Sequence, residues 1–580
     1  MNKVADSRLQ PLSHEHAPVP DIYVEGKPAL VLDRRTKKRT KEDALRDNIS
    51  AAEFMQDLAR TIYGPRRLIK LVMTQDGKYP LNFITSDLQS VLKRIKINHP
   101  AAQLLAGAAI STYREKGDGS VSTLLLAASI LAACKRLLVR KTHANLLIDG
   151  IALAYHRVMR NAPRLVIKEN SSQLEVIELA IRNSLDGKLF DEDCDVVSRI
   201  LSETVKAVDI STLRGPDAEA IIDVKKVQGG SLADSHVVEG LALTQEIPHD
   251  RMPRKVKDAR IALVQTQLRI PDKKISRYED YMFRFSSAQE LGGFEKSKKE
   301  FLTGLASKII GTGANVVLVQ GGVDDFLFEY FANRNILVIR RFPEVEFLRV
   351  NRVLGGRLIP NPSLIQKEDL ASADLVEERK VGKDKLVFIT GCEGPKSVDI
   401  ILRGNLMWSL DDIERVMKSA IKSAITAARD PRLVWGGGAF EQELARDLYR
   451  YSQRFPDRRQ LVMRAVAEAF ESLPAMLAET VGMKGVDTTA QLRSKHGKGQ
   501  TSMGVDVKGS KVANMSILGV RDSLDVKLQA IKAAFETAIT ILRVDDLIVA
   551  PELPYAERAY VERTKGTSRE KLKAKDALLE

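Results

Sequence analysis

Two long stretches of helical periodicity, 41–161 and 409–543, bracket a middle segment of short β-branched runs, and this arrangement limits what the chain can fold into. In the first stretch Ala44, Ile49, Ala52, Phe54, Met55, Leu58, Ala59 and Ile62 recur mostly at intervals of three and four, the spacing of one helix face. Gly64 and Pro65 end that helix, and further helices are expected over 86–95, 99–112, 120–139 and 144–161. A helix pair at 172–183 and 192–207 precedes a β-rich AIIDVKKVQGG. From 259 to 387 the runs ARIALVQTQL, NVVLVQ and ILVIRRF, with KLVFITG at the end, alternate with helical segments at 287–310 and 323–333, the rhythm of an α/β domain. After SVDIILRG the helices return, at 409–429, 438–453, 459–481, 488–496 and 522–543. A chain whose two ends are alike and helical can build one domain from both, with the β-rich part inserted between them.

The length, 580 residues, predicts about three or four domains at roughly 100–200 residues each. With 44% hydrophobic and 29% charged residues, the bulk is folded and water-soluble rather than disordered. Cys134, Cys194 and Cys392 are far apart, odd in number and without a CxxC, which argues against disulfides and thiolate metal sites and for a reducing compartment. The most apolar stretch, Leu124 to Cys134, runs into Lys135 and Arg136, short of the about 20 residues that cross a bilayer. The first residues are polar where an export signal needs an apolar core, so a cytoplasmic protein with no membrane partner is expected. Net charge is +14, densest at Arg34, Arg35, Lys37, Lys38, Arg39 and Lys41. That run lacks interleaved aromatics, so a solvated segment outweighs a nucleic-acid contact.

The strongest chemical signal is Gly117-Asp118-Gly119-Ser120, set before the apolar helix VSTLLLAASILAAC. Two glycines let backbone amides approach an anion, the helix N-terminus adds positive potential, and Asp118 can hold a magnesium ion that bridges phosphate oxygens. Ser120 and Ser122 offer hydroxyls, although the same four residues also suit a plain turn with a helix cap. Trp435-Gly436-Gly437-Gly438 precedes another amphipathic helix, where its amides can reach a nucleotide or merely form a turn. Tyr63-Gly64-Pro65-Arg66 stops a helix and can present an arginine to phosphate.

Taken in order along the chain, these motifs and LQAIKAAFETAITILRVDDLI near the end resemble the group II chaperonins, the archaeal thermosome and the eukaryotic cytosolic chaperonin. INHPAAQLL (97–105), SADLVEERKVG (372–382), VDIILRGN (398–405), RRQLVMRAVAEAFESLPAMLAETVG (458–482) and MGVDVKGSKVANM (503–515) extend the likeness over about residues 28–552. The resemblance implies a multidomain α+β chaperonin fold. Its expected parts are a mobile extension (1–26), a helical equatorial domain from both ends (27–168 and 421–554), a small intermediate domain (169–238 and 387–420), an α/β apical domain (239–386) and a charged tail (555–580). It further implies a double ring of same-family subunits, homo- or hetero-oligomeric, that uses ATP with Mg²⁺ on unfolded or partly folded proteins. Carried onto this chain, the nucleotide would meet Gly64, Pro65, Asp87, Gly117, Asp118, Gly119, Ser120, Ser122, Gly437, Gly438 and Asp506, with Asp118 on the metal and Asp87 as the retained catalytic carboxylate. A helical protrusion is expected within 270–303, where Tyr278, Tyr281, Met282, Phe283 and Phe285 either touch substrate and neighbours or pack beneath it.

The chain also departs from the family's pattern. Where relatives read like TLGPKGMDK, Arg67 and Ile69 replace a glycine and an aspartate; in the loop like NDGATIL, Asp87 stays but Leu88 replaces glycine. A leucine forced to positive φ costs about 1–2 kcal/mol or imposes another loop shape. Ser120, Val121 and Ser122 stand for three threonines, and Lys418-Ser419 stands at two aspartates, one of which orients the attacking water in relatives. Asp411 and Asp412 lie some 10 Å away along the helix and are poor substitutes. Serine is no general base at neutral pH, and loss of a positioned base costs about 10²–10⁴-fold in rate. Three functions are therefore open. The favoured one is a ring subunit that binds ATP and unfolded protein with hydrolysis weak or lost. The others are a fully active ATP-driven folding machine and an assembly protein of the same fold that makes no use of nucleotide.

Overall fold

The computed structural model describes residues 22–24, 27–29, 37–76, 79–168, 171–269 and 288–549. Most of the N-terminal extension, all of the charged tail and the aromatic run from Tyr278 to Phe285 lie outside the described residues.

The chain divides into two compact units, Met1–Asn48 with Ile541–Glu580, and Ile49–Thr540. In the first, Ile22–Val24 and Lys27–Ala29 form a short hairpin, and Lys37–Thr40 pairs antiparallel with Asp546–Val549, Thr40 opposite Asp546. Part of the basic run is thus in a strand that joins the two ends of the chain, not in a loose segment.

The second unit begins and ends in helices. Arg459–Glu479 is central among them: it packs on Ser120–Val139, Ala144–Asn161, Ala439–Ser452 and Gly485–Gly497, so segments far apart in sequence share one core. Ser120–Val139 is apolar all round, and Leu124, Leu125, Ala127, Ala128, Ile130, Leu131 and Cys134 have no exposed surface. It is long and apolar enough to cross a membrane, longer than the apolar run in the sequence suggested. Yet 72% of its most apolar window is buried inside the protein, as in a core helix. Between the helices at either side of residues 70–85 lies a hairpin, Lys70–Asp76 with Tyr79–Thr85, which the helical reading of this block missed. The alternation is there in LVMT, but the apolar members Leu71, Met73 and Ile84 are exposed, so no core period marks the strands.

The middle is a mixed seven-stranded sheet. Leu337–Arg340, Val316–Val319 and Lys255–Val264 run parallel, Ala371–Val381 and Asp384–Cys392 continue antiparallel to Leu241–Leu243, and Leu358–Ile359 pairs beside Lys255–Val264. Val316–Val319, most of Leu337–Arg340 and the Ile261–Val264 end of the third strand are buried, and their β-branched runs read as continuous rather than alternating for that reason. A smaller sheet, Ile222–Gln228, Val398–Gly404 and His236–Glu239, carries Gln173–Leu185, Asp191–Ala207 and Met407–Arg429 on its apolar side. Buried charges join the two sheets: Arg349 of the Glu344–Leu354 helix pairs with Asp399, and Lys225 bridges Asp223 at 3.1 Å and Glu346 at 2.6 Å. The molecule is a multidomain α+β protein.

Candidate functional site

Two helices of the second unit start on a left-handed glycine. Gly119 (φ 84°, ψ −1°) opens Ser120–Val139, and Gly438 (φ 81°, ψ 3°) opens Ala439–Ser452, neither with a side chain capping the first-turn amides. A non-glycine residue pays a steric cost at such φ, so these turns need glycine. The result is two helix N-termini whose N–H groups and positive dipole ends are free of side-chain caps.

Gly117 (φ 79°) closes the preceding helix and lies flat on Met407–Arg429; a Cβ there would stand 2.5 Å from the Ser419 carbonyl oxygen and 2.8 Å from the Ser423 nitrogen. Ser419 is buried and its Oγ donates to the Gly117 carbonyl at 2.5 Å. Lys188 Nζ donates to the same Oγ at 3.3 Å, and Ser184 Oγ lies 3.3 Å away. Lys188 is itself buried. Burial pushes its ammonium below the ordinary lysine range, Asp118 and Asp87 oppose that push, and Arg67 adds to it. Asp87, Asp118, Lys188 and Arg67 therefore share one field.

Asp87 caps Leu88–Arg94: its Oδ2 accepts from the Ser90 amide at 3.2 Å and the Ser90 hydroxyl at 2.7 Å. Arg415 donates to that hydroxyl at 2.7 Å and to Asp412 at 2.6 Å. Leu88 is the first helical residue, fully buried, and is absent from the positive-φ set. Of the two outcomes expected for this leucine, strain or a changed loop, it shows no strain: the carboxylate before it starts a helix.

Tyr63 ties the remaining motifs together. Its side chain hydrogen-bonds Ser122, and its phenol, pushed up by burial, feels Lys527, Glu441 and Asp522. Lys527 Nζ donates to Glu441 at 2.7 Å and pairs with Asp522 at 3.0 Å. These contacts hold the Gly64-Pro65 turn, the Gly117–Ser120 turn and the Gly438 helix around one place. Gly64 (φ 82°) faces Leu477, its carbonyl accepts from Arg67 Nε at 3.0 Å, and the Pro65 carbonyl lies against Gly187, next to Lys188. Gly437 accepts from the Val505 amide at 2.8 Å. Asp506 follows Val505 on the strand that meets the glycine turn, and its Oδ1 accepts from the Lys508 and Gly509 amides, capping its own hairpin turn.

Among the described residues no three His, Cys, Asp or Glu side chains are grouped as for a protein-held metal. A magnesium ion carried on phosphates needs only one or two carboxylates, and Asp118 beside an uncapped helix N-terminus fits that need. Sequence reasoning missed Lys188, Tyr63, Arg415, Glu441, Asp522 and Lys527. The one local hint was Gly187-Lys188 in the short link between two helices, since a lysine beside glycine approaches anions readily.

Comparison with known proteins agrees with this arrangement. The TCP-1/cpn60 chaperonin family matches residues 55–552. The chain is 35% identical to the thermosome subunit alpha of Sulfurisphaera tokodaii over 94% of its own length and 98% of the relative's. It is 34% identical to the thermosome subunit beta of Aeropyrum pernix, covering 90% and 94%, and 32% identical to the thermosome subunit of Methanopyrus kandleri, covering 91% and 96%. With open glycine-capped helices from both ends of the chain meeting at one cluster, and a match that spans nearly all of it, the protein belongs to the group II branch of the TCP-1/cpn60 chaperonin family.

Proposed function

We propose that the protein is a cytoplasmic chaperonin ring subunit that binds ATP with Mg²⁺ and holds unfolded or partly folded proteins, its own hydrolysis weak or lost. The partition into equatorial (27–168, 421–554), intermediate (169–238, 387–420) and apical (239–386) domains is part of this reading, as is assembly into a double ring with itself or with related subunits.

The first-turn amides behind Gly119 and Gly438 would receive phosphate oxygens, and Asp118 would hold the metal. When bound, Mg²⁺ neutralises phosphate charge and so stabilises the leaving group. Lys188 supplies a buried positive charge beside Asp118, and Gly64-Pro65 closes the wall next to it.

The observation that carries the loss of hydrolysis is the Ser419 bond to the Gly117 carbonyl. A hydroxyl whose hydrogen is already donated, and which bears no negative charge, cannot take a proton from water at neutral pH. Asp87 remains as the retained loop carboxylate, but its oxygen already accepts two bonds from Ser90.

Calorimetric titration with Mg-ATP tests the binding half of the reading. The wild-type protein is expected to bind and Asp118→Ala to bind at least about tenfold more weakly, as when one ligand carboxylate is removed. A wild-type protein that binds no nucleotide would leave an assembly protein as the better account.

A further inference from the structure

Arg67 stands where relatives carry a glycine, so this chain adds a cation to the Gly64-Pro65 turn. The loop that carries it is closed twice. The Leu68 amide donates to the Thr61 carbonyl at 2.9 Å, and Arg67 Nε donates to the Gly64 carbonyl at 3.0 Å. That second bond holds the guanidinium by its inner edge. Among the described residues its outer edge, Nη1 and Nη2, makes no hydrogen bond or ion pair, although the residue is only partly exposed. Arg66, the arginine to which the motif pointed, is exposed beside it.

The same loop packs against the link that carries Lys188. The Pro65 carbonyl lies so close to Gly187 that a side chain there would collide with it. Lys188 Nζ in turn donates to Ser419 Oγ at 3.3 Å, and that hydroxyl donates to the carbonyl of Gly117, the residue before Asp118. The fields agree with these contacts. Burial is the main push on the Lys188 ammonium below its ordinary range, Asp118 opposes it, and Arg67 adds to it. Burial likewise raises the Asp186 carboxyl, against which Lys508, Arg182 and Arg67 all act, yet no carboxylate among the described residues comes within ion-pair distance of Arg67. Asp87 is bonded to Ser90, and Asp118 is the metal's ligand in the reading above. Two cations therefore share one wall of the site, and the fork of one of them is unspent. Such a grouping suits an anion.

We propose that Arg67 is a specificity-determining residue of the nucleotide site: its open fork binds the terminal phosphate of a nucleoside triphosphate, so that the site favours triphosphate over diphosphate. This rests on the reading of the Gly117–Ser120 turn as a phosphate site. Mg-ATP carries one more negative charge than Mg-ADP, and a planar guanidinium takes two phosphate oxygens at once, which an ammonium does not. With Ser419 in place of a carboxylate, the triphosphate gripped in this way is kept rather than cleaved.

The experiment is calorimetric titration of the assembled protein with Mg-ADP and with the β,γ-imido analogue of Mg-ATP, which resists hydrolysis. It is run on wild type, Arg67→Gly and Arg67→Gln, with a thermal melt of each. Wild type should prefer the triphosphate analogue by about ten- to a hundredfold, what charge-assisted hydrogen bonds contribute. Both variants should lose that margin through the triphosphate alone. If Arg67→Gly does not fold, Arg67→Gln reads the same margin. An arginine that merely shapes the turn would weaken both nucleotides together, and that result overturns the inference, as does a wild type without the margin or a variant that keeps it. A wild-type protein that binds neither nucleotide overturns it together with the nucleotide reading.

Discussion

Ser419 and Lys188 meet at a single hydroxyl, and each makes a separate prediction. Because burial lowers the folded pKa of Lys188 below the unfolded value, the unfolded chain binds more protons between the two. Stability therefore rises with pH as the ordinary lysine range is approached, and Lys188→Met removes that rise; melting curves of both proteins on the alkaline side check it. Thiols give a second test. Burial pushes Cys134 up to about 12 and Cys392 up to about 11, so neither is thiolate near neutrality. Iodoacetamide followed by mass spectrometry should label Cys134 only after unfolding. The glycines of the site were read in the sequence through the order of their motifs along the chain, since each alone also suits a plain turn before a helix. Lys188 was not, since its partner Ser419 lies 231 residues further along the chain and only the glycine before it gives a local hint.

At the scale of elements, close packing between segments remote in sequence sets the tolerances. Gly150 of Ala144–Asn161 faces Val462 of Arg459–Glu479, where a new Cβ would stand 2.6 Å from the valine's own. Gly150→Leu should therefore cost about 1–3 kcal/mol by overpacking, read as a fall in the urea midpoint. The Arg349–Asp399 pair behaves differently. Arg349→Leu strands a buried carboxylate and should destabilise by about 3–5 kcal/mol, whereas adding Asp399→Leu should recover most of the loss. A double-mutant cycle on the same denaturation readout separates the two cases. Helices were read well where apolar residues are buried over many turns: the expected 120–139 and 459–481 became Ser120–Val139 and Arg459–Glu479. The Lys70–Thr85 hairpin escaped because Leu71, Met73 and Ile84 are exposed, which weakens the burial signal that periodicity detects.

For the whole molecule, the flanking of a β-rich middle by two helical blocks was legible from periodicity, and the resemblance to the family from the order of its motifs along the chain. What no pattern in the sequence carried was which residues close the site around Ser122, because Tyr63, Glu441 and Lys527 come from three separate segments. The account turns on the claim that this chain retains nucleotide binding without a positioned base for hydrolysis. Steady-state ATP turnover by the purified, assembled protein tests it most directly, with Asp118→Ala as the background and Ser419→Asp as the repair. Wild-type turnover should not exceed the Asp118→Ala background, and Ser419→Asp should raise it by up to about 10²–10⁴-fold, the contribution of a positioned base. Wild-type turnover well above background that vanishes in Asp118→Ala would contradict the claim and identify an autonomous ATP-driven machine.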